Sequence, residues 1–248
     1  MSIFLWGVLP YLALVCVIGG TVWRYRYDKF GWTTRSSELY ESRLLRIGSP
    51  LFHYGILAVI AGHAMGLVIP ESWTEQFGVT ETMYHWVAAV GGVIAAVAAV
   101  VGVAILIYRR RTVGPVFMAT TRNDKLMYAV LVAALVAGTY ITVVGMIDPH
   151  GDGVNYRETV SPWFRSIFYF QPDVAAMEAA PVRFHLHVVI GMVMFMLVPF
   201  TRLVHIFTAP LHYLFRPYIV YRSKDARPMP GNAPSRRGWD PIGVKDRD

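Results

Sequence analysis

The sequence predicts an all-α integral membrane protein with five transmembrane helices, its N-terminus outside and its C-terminus cytoplasmic. Three observations predict it. The 248 residues are 55% hydrophobic and only 16% charged, with a mean hydropathy of +0.42. The apolar residues gather into five runs, 3–22, 50–69, 84–108, 126–147 and 184–207, each near the ~20 residues a helix needs to cross hydrocarbon. Lys and Arg crowd the segments after the first and third runs and thin out after the second and fourth.

Taken in order, run one passes into Trp23-Arg24-Tyr25-Arg26, an aromatic and basic interface signature. It has no basic n-region and no small-residue cleavage site, so it is expected to stay as a span rather than leave as a signal peptide. Arg24, Arg26, Lys29, Arg35, Arg43 and Arg46 follow it, and Arg109, Arg110, Arg111, Arg122 and Lys125 follow run three. Both segments are expected on the cytoplasmic side. PESWTEQFGVTETMYHW, between runs two and three, holds three glutamates and no Lys or Arg. It is expected outside, as is the segment 148–183. Within the latter, SPWFRSIFYFQ is aromatic-rich and too short to span, which suits the interface plane. Residues 1–215 then form the membrane domain, and 216–248, with RPMPGNAPSRRGW, a basic Pro/Gly-rich cytoplasmic tail.

Composition also excludes. The net charge is +7, but the cations lie between spans and in the tail, so no nucleic-acid surface is expected and membrane lipid is the surrounding partner. Cys16 is the single cysteine; no internal disulfide forms, and any iron-sulfur cluster belongs to a partner.

The chemistry lies in the eight histidines. His85, His150 and His212 fall at span ends or in loops, where imidazole reaches water cheaply. His53, His63, His185, His187 and His205 lie in or near the ends of spans two and five, where an ionisable group is costly and functional by default. At about 100° per residue, a continuous helix puts His187 and His205 on one face and His185 nearly opposite, while His53 and His63 are roughly 80° apart. Spans two and five run antiparallel, so His53 meets His205 and His63 meets His187. The axial separations, about 15 Å on span two and about 27 Å on span five, predict tilted or offset ligands.

Two facing imidazole pairs suit two haems better than zinc, which wants four ligands on one ion. A covalent c-type haem is excluded, since no CxxCH is present. Gly55, Ala58, Gly62, Ala64 and Gly66 on span two, and Gly191 on span five, are small enough to admit a flat macrocycle. Arg202 is a candidate partner for a propionate on the inner side, as are Arg43 and Arg46, with Arg183 on the outer side; each is equally an ordinary interfacial cation. The competing readings are histidines as interhelical hydrogen-bond glue, and a haem-free anchor or transporter that uses them as a proton relay.

The stretches WRYRYDKFGW, LFHYGILAVIAGHAMG, ATTRNDK and RFHLHVVIGMVMFMLVPFTRLVHIF, spread over residues 1–215, resemble the membrane cytochrome b (gamma) subunit of respiratory membrane-bound nitrate reductase. The resemblance implies a dihaem bundle of four to five helices in the cytoplasmic membrane. His53 and His205 would be axial ligands of an inner haem b, and His63 and His187 of an outer one. It further implies oxidation of a quinol, menaquinol or ubiquinol, near the outer haem. Electrons would pass to a cytoplasmic iron-sulfur subunit and then to a molybdenum catalytic subunit that reduces nitrate. Related subunits serve sulfur-compound, heterodisulfide, formate or hydrogenase complexes, an alternative that the spans leave open. Two positions depart from the family. ETMYHWV stands where a lysine near the quinol is common, leaving Gly62, His63 and His85 as candidate quinol-binding groups. His185 stands where arginine is usual.

Overall fold

The computed structural model describes residues 1–28, 30–32, 37–147 and 155–208. His150, His212 and the expected tail lie outside the described residues. Within them the chain is helical, without strands. In order, the helices are α1 (Leu9–Tyr27), α2 (Arg43–Val68), α3 (Glu71–Gln76), α4 (Glu81–Thr112), α5 (Gly114–Met118), α6 (Arg122–Ile147), α7 (Val160–Phe168), α8 (Val174–Glu178), α9 (Val182–Leu197) and α10 (His205–Thr208). A π-helical segment, Ile3–Val8, leads into α1, where Pro10 in the first turn needs no intrahelical N–H partner.

Five helices are long and apolar enough to cross a membrane: Ile3–Tyr27, Arg43–Val68, Glu81–Thr112, Arg122–Ile147 and Val182–Phe200. They match the five expected spans in order, with shifted bounds. Span two starts at Arg43 instead of 50, because Pro50 is carried inside α2. Its ring costs one backbone bond without ending the helix.

Span five differs from expectation. The helix stops at Leu197 and tightens into a 3-10 turn over Val198–Phe200. At Thr201 the backbone is extended (φ −121°, ψ −172°), and it then re-forms as a 3-10 turn, Arg202–Val204, and α10. Pro199 lacks the N–H that a continuing helix would use. The five-turn alignment of His187 with His205, and the 27 Å rise between them, therefore do not hold.

Small residues set the packing. In hydrocarbon, helices gain from close approach rather than from the hydrophobic effect. A Cβ added at Gly55 would sit 2.5 Å from the Ala99 backbone nitrogen, and one at Gly48 2.8 Å from Ile105 Cγ2. On α4, Ala95, Ala96, Ala99 and Gly102 are buried against this face. Thus α2 packs on α4, α4 on α6, α6 on α9 and α9 on α1. The outward faces keep large apolar side chains exposed, among them Ile94, Val97 and Val101 on α4, as a lipid-facing surface requires.

SPWFRSIFYFQ folds as α7 and its continuation, and it caps the end of α2 rather than only resting on an interface. Ser161 Oγ donates to the Gly66 carbonyl (2.8 Å) and Arg165 to that of Leu67 (3.2 Å), satisfying acceptors the helix end leaves open. Trp163 Nε1 donates to the Trp6 carbonyl (2.8 Å) and its ring meets Trp6 edge-on.

At the opposite end, the fully buried Arg109 of α4 gathers residues 37–41. Its Nε donates to Glu41 Oε2 (2.6 Å), and its other nitrogens donate to Ser37 Oγ (2.9 Å) and the carbonyls of Ser37 and Glu41. Partial burial works to raise the Glu41 carboxyl, but the Leu44 N–H and the Arg109 guanidinium prevail and hold it below its ordinary value.

The α2–α4 seam yields a direct test. Gly55→Ala forces a methyl into the α4 backbone and should cost about 2 kcal/mol, read as a lower thermal midpoint of the detergent-solubilised protein. Val97→Leu, on the exposed face of α4, should leave the midpoint nearly unchanged.

Candidate functional site

The row α2–α4–α6–α9 curls until histidines from its two ends face each other. The rings of His53 and His205 lie 5.9 Å apart, centroid to centroid, with planes at 72°; those of His63 and His187 are also 5.9 Å apart, at 39°. The backbones of α2 and α9 make no extensive close approach of their own. Both pairings expected from the sequence are therefore present.

Hydrogen bonds fix how the rings point. His53 Nδ1 lies 2.7 Å from the Ser49 carbonyl, His63 Nδ1 2.8 Å from that of Val59, and His205 Nδ1 2.6 Å from that of Arg202. A carbonyl only accepts, so each Nδ1 carries the proton and each Nε2 keeps its lone pair. This is the arrangement in which a backbone carbonyl orients a metal-ligating imidazole. The fourth ring, His187, is buried against α6, where the backbone of Ala134 is its hydrogen-bonding neighbour. Gly138 of α6 makes space for it: a Cβ there would lie 3.0 Å from His187 Cε1. Sequence reading passed over Gly138, whose only signal is a glycine amid larger apolar residues on span four.

The donor set fits haem. Two imidazoles on opposite sides of one ion, with metal–nitrogen bonds of about 2 Å, have centroids roughly 6 Å apart. Among the described residues no three His, Cys, Asp or Glu side chains converge on a possible metal site. An ion bound by either pair must take its remaining ligands from elsewhere, which a porphyrin supplies. On α2, Ala58, Ala61, Gly62 and Ala64 are exposed, and added Cβ atoms at Gly62 or Gly191 would meet nothing within 4 Å. Gly55 and Gly66 do not share that role. Gly55 packs on α4, and a Cβ at Gly66 would strike the Tyr156 hydroxyl.

The remaining candidates are dispersed. His85 occupies the second turn of α4, edge-on to Trp86, with its Nε2 buried and without a hydrogen-bond partner among the described residues. His185 points away from both pairs: its Nε2 donates to the Met177 carbonyl (2.7 Å) and its ring lies against Trp6 (4.9 Å). It is interhelical glue. Arg202 makes a two-point ion pair with Asp124 of α6, Nε to Oδ1 at 2.5 Å and Nη2 to Oδ2 at 3.1 Å. Arg43 and Arg46 are exposed on the first turns of α2, and the Arg183 guanidinium lies over Phe184.

A polar cluster beside the His63 end went unread in the sequence. Arg157, almost wholly buried, pairs with Glu81 (3.1 Å), donates to Thr74 Oγ1 (3.0 Å) and stacks on the Tyr84 ring (3.9 Å). The Tyr84 and Tyr156 hydroxyls meet at 3.1 Å, against Gly66. Burial, then the Tyr84 hydroxyl, push the Tyr156 phenol up. Burial and the neighbouring Glu81 raise Glu71 above its ordinary value.

The chain matches the family described as nitrate reductase gamma subunit over residues 2–224. It is 58% identical over 239 residues to the nitrate reductase-like protein NarX of Mycobacterium tuberculosis, covering 96% of this chain and 36% of that protein; the chain thus spans about a third of that relative's length. It is 46% identical to the nitrate reductase gamma chain of Bacillus subtilis, over 89% of this chain and 97% of the relative. With the respiratory nitrate reductase 1 gamma chain of Escherichia coli it shares 30% identity, over 90% and 98%.

The raised Glu71 carboxyl carries a signed prediction. The folded chain holds that proton more tightly than the unfolded one, so this group's contribution to stability falls as pH rises through and above its ordinary value of 4.5. Glu71→Gln should raise the thermal midpoint at pH 7, with the gain disappearing below about pH 4. An equal gain at both pH values would sink the assignment.

Proposed function

The chain belongs to the nitrate reductase gamma subunit family, and on that premise we propose that it is a dihaem cytochrome b that oxidises membrane quinol and passes the electrons inward. The observation that carries this reading is the pair of facing histidine couples, each 5.9 Å across, joining α2 to the far end of the same helix row. His53 and His205 would hold one haem b, and His63 and His187 the other. Bound there, haem would supply a one-electron carrier at each couple.

The chain's own residues do the rest. Backbone carbonyls of Ser49, Val59 and Arg202 hold three imidazoles in the tautomer that keeps Nε2 available. The positive-inside distribution of Arg and Lys puts the His53–His205 end toward the cytoplasm and the His63–His187 end outside. Quinol, menaquinol or ubiquinol, would bind at the outer end beside Gly62, His63 and His85. His63 Nδ1–H is committed to Val59, whereas His85 Nε2 is buried and has no hydrogen-bond partner among the described residues. His85 is therefore the group that accepts a quinol proton. Protons leave outside while electrons move to a cytoplasmic iron-sulfur subunit and a molybdenum subunit that reduces nitrate. This chain also anchors those subunits to the membrane.

Pyridine haemochrome analysis of the full chain in membranes should find two b haems per polypeptide. His63→Ala and His205→Ala should each retain one, the two retained haems differing in spectrum. A well-folded wild type without haem would overturn the reading. His85→Gln should keep both haems while slowing quinol oxidation about 10²-fold.

A further inference from the structure

The fifth span reaches His205 across a break, so the backbone of α9 does not dictate where that imidazole points. The broken stretch is instead tied to two other helices. From α1, Arg24 donates to the Pro199 carbonyl and to that of Thr201 (3.2 Å). From α6, Asn123 Nδ2 donates to the Phe200 carbonyl (2.6 Å). These bonds satisfy acceptors that an interrupted helix leaves open. Thr201, at 2% exposure, caps the next turn by accepting from the Leu203 N–H (3.3 Å).

The last tie is the one adjacent to the ring. Asp124, buried in the first turn of α6, receives Arg202 at both oxygens, and the Arg202 carbonyl in turn accepts the proton of His205 Nδ1 (2.6 Å). Asp124 is itself held by the Thr121 N–H (2.9 Å), and Arg202 Nη2 also reaches the Ala119 carbonyl. A planar guanidinium bound at two points is fixed in orientation as well as position, which a lysine would not be.

We infer that Asp124, acting through Arg202, is a positioning residue for the His205 imidazole and hence for the haem shared by His53 and His205. The inference rests on the haem reading proposed above. It also accounts for an asymmetry: His53 and His63 take their acceptors from inside the intact helix α2, four residues back, whereas the His205 acceptor sits in a turn whose placement depends on α6. Loss of the Asp124 charge should therefore be felt at one haem and not at the other. Removing the carboxylate also leaves the Arg202 cation uncompensated nearby, which disfavours the oxidised haem and moves its midpoint upward.

The test uses the full chain in membranes, with haem content, redox titration and low-spin electron paramagnetic resonance as readouts. In Asp124→Asn, the His53–His205 haem should be lost, taking the content from two to one, or should show a displaced low-spin signal and a higher midpoint. The His63–His187 haem should be unchanged. Arg202→Lys should retain charge but displace the same signal, and the exchange Asp124→Arg with Arg202→Asp should restore it toward wild type. Two unaltered signals in Asp124→Asn overturn the inference, as does equal loss of both haems, which would mark a general folding role. If Asp124→Asn fails to accumulate, Asp124→Glu decides: a displaced inner signal supports the tether, and unchanged spectra overturn it. A wild type without haem overturns the haem reading itself, whereas two wild-type haems with an indifferent Asp124 overturn only the tether.

Discussion

An imidazole placed inside a bilayer must satisfy two nitrogens where water supplies no partner, and the architecture follows from that constraint. At His53, His63 and His205 a nearby backbone carbonyl takes Nδ1–H. This settles the tautomer and leaves each Nε2 needing something to bind. The histidines of α2 and of the fifth span supply two such nitrogens at each level. Holding them face to face requires the two spans to approach without packing tightly, and α4 and α6 bridge between them. Close contact is concentrated where glycine and alanine permit it, between α2 and α4.

The spans are tied at their ends by buried charges that each serve a different junction. Arg109 collects the segment before α2, Arg157 draws the loop before α7 onto α3 and α4, and Asp124 secures the interrupted fifth span. Buried pairs of this kind contribute little net stability compared with apolar packing, but breaking one leaves an uncompensated charge. Their value lies in geometry, since apolar side chains in lipid do little to specify where a helix end sits. The two histidine couples are thus held by unlike means, one by intact helices and by the space at Gly138, the other by a tether across a break.

Membership in the nitrate reductase gamma subunit family gives this geometry its setting, five apolar helices whose imidazoles face one another across the row. The chain carries one cysteine and, among its described residues, no cluster of three metal-binding side chains. What the described residues offer a metal is consequently a matter of where imidazoles point and what charge surrounds them. The polar cluster of Arg157, Glu81, Glu71, Tyr84 and Tyr156 lies beside the His63 end, so the two ends of the helix row meet different surroundings.

Much of this was legible in the sequence because hydrocarbon imposes length and polarity rules on a single segment at a time. Five runs of apolar residues determined the five spans, and their flanking cations determined the expected orientation. The costliness of intramembrane histidine singled out His53, His63, His185, His187 and His205, helical phase set His185 apart, and antiparallel order gave the pairing. What only the tertiary structure decided depends on contacts between segments. Helical arithmetic assumed an unbroken fifth span, and the interruption at Thr201 is stable because Arg24 and Asn123 satisfy its carbonyls from other helices. Gly55 and Gly66 read as room for a macrocycle, yet they lie against Ala99 and Tyr156, while Gly138 on span four makes space for His187. Arg202 read equally as a propionate partner and as an interfacial cation, and Asp124, 78 residues earlier, makes it a tether. Periodicity reports which way a side chain leaves its own helix; what it meets is set by the neighbour.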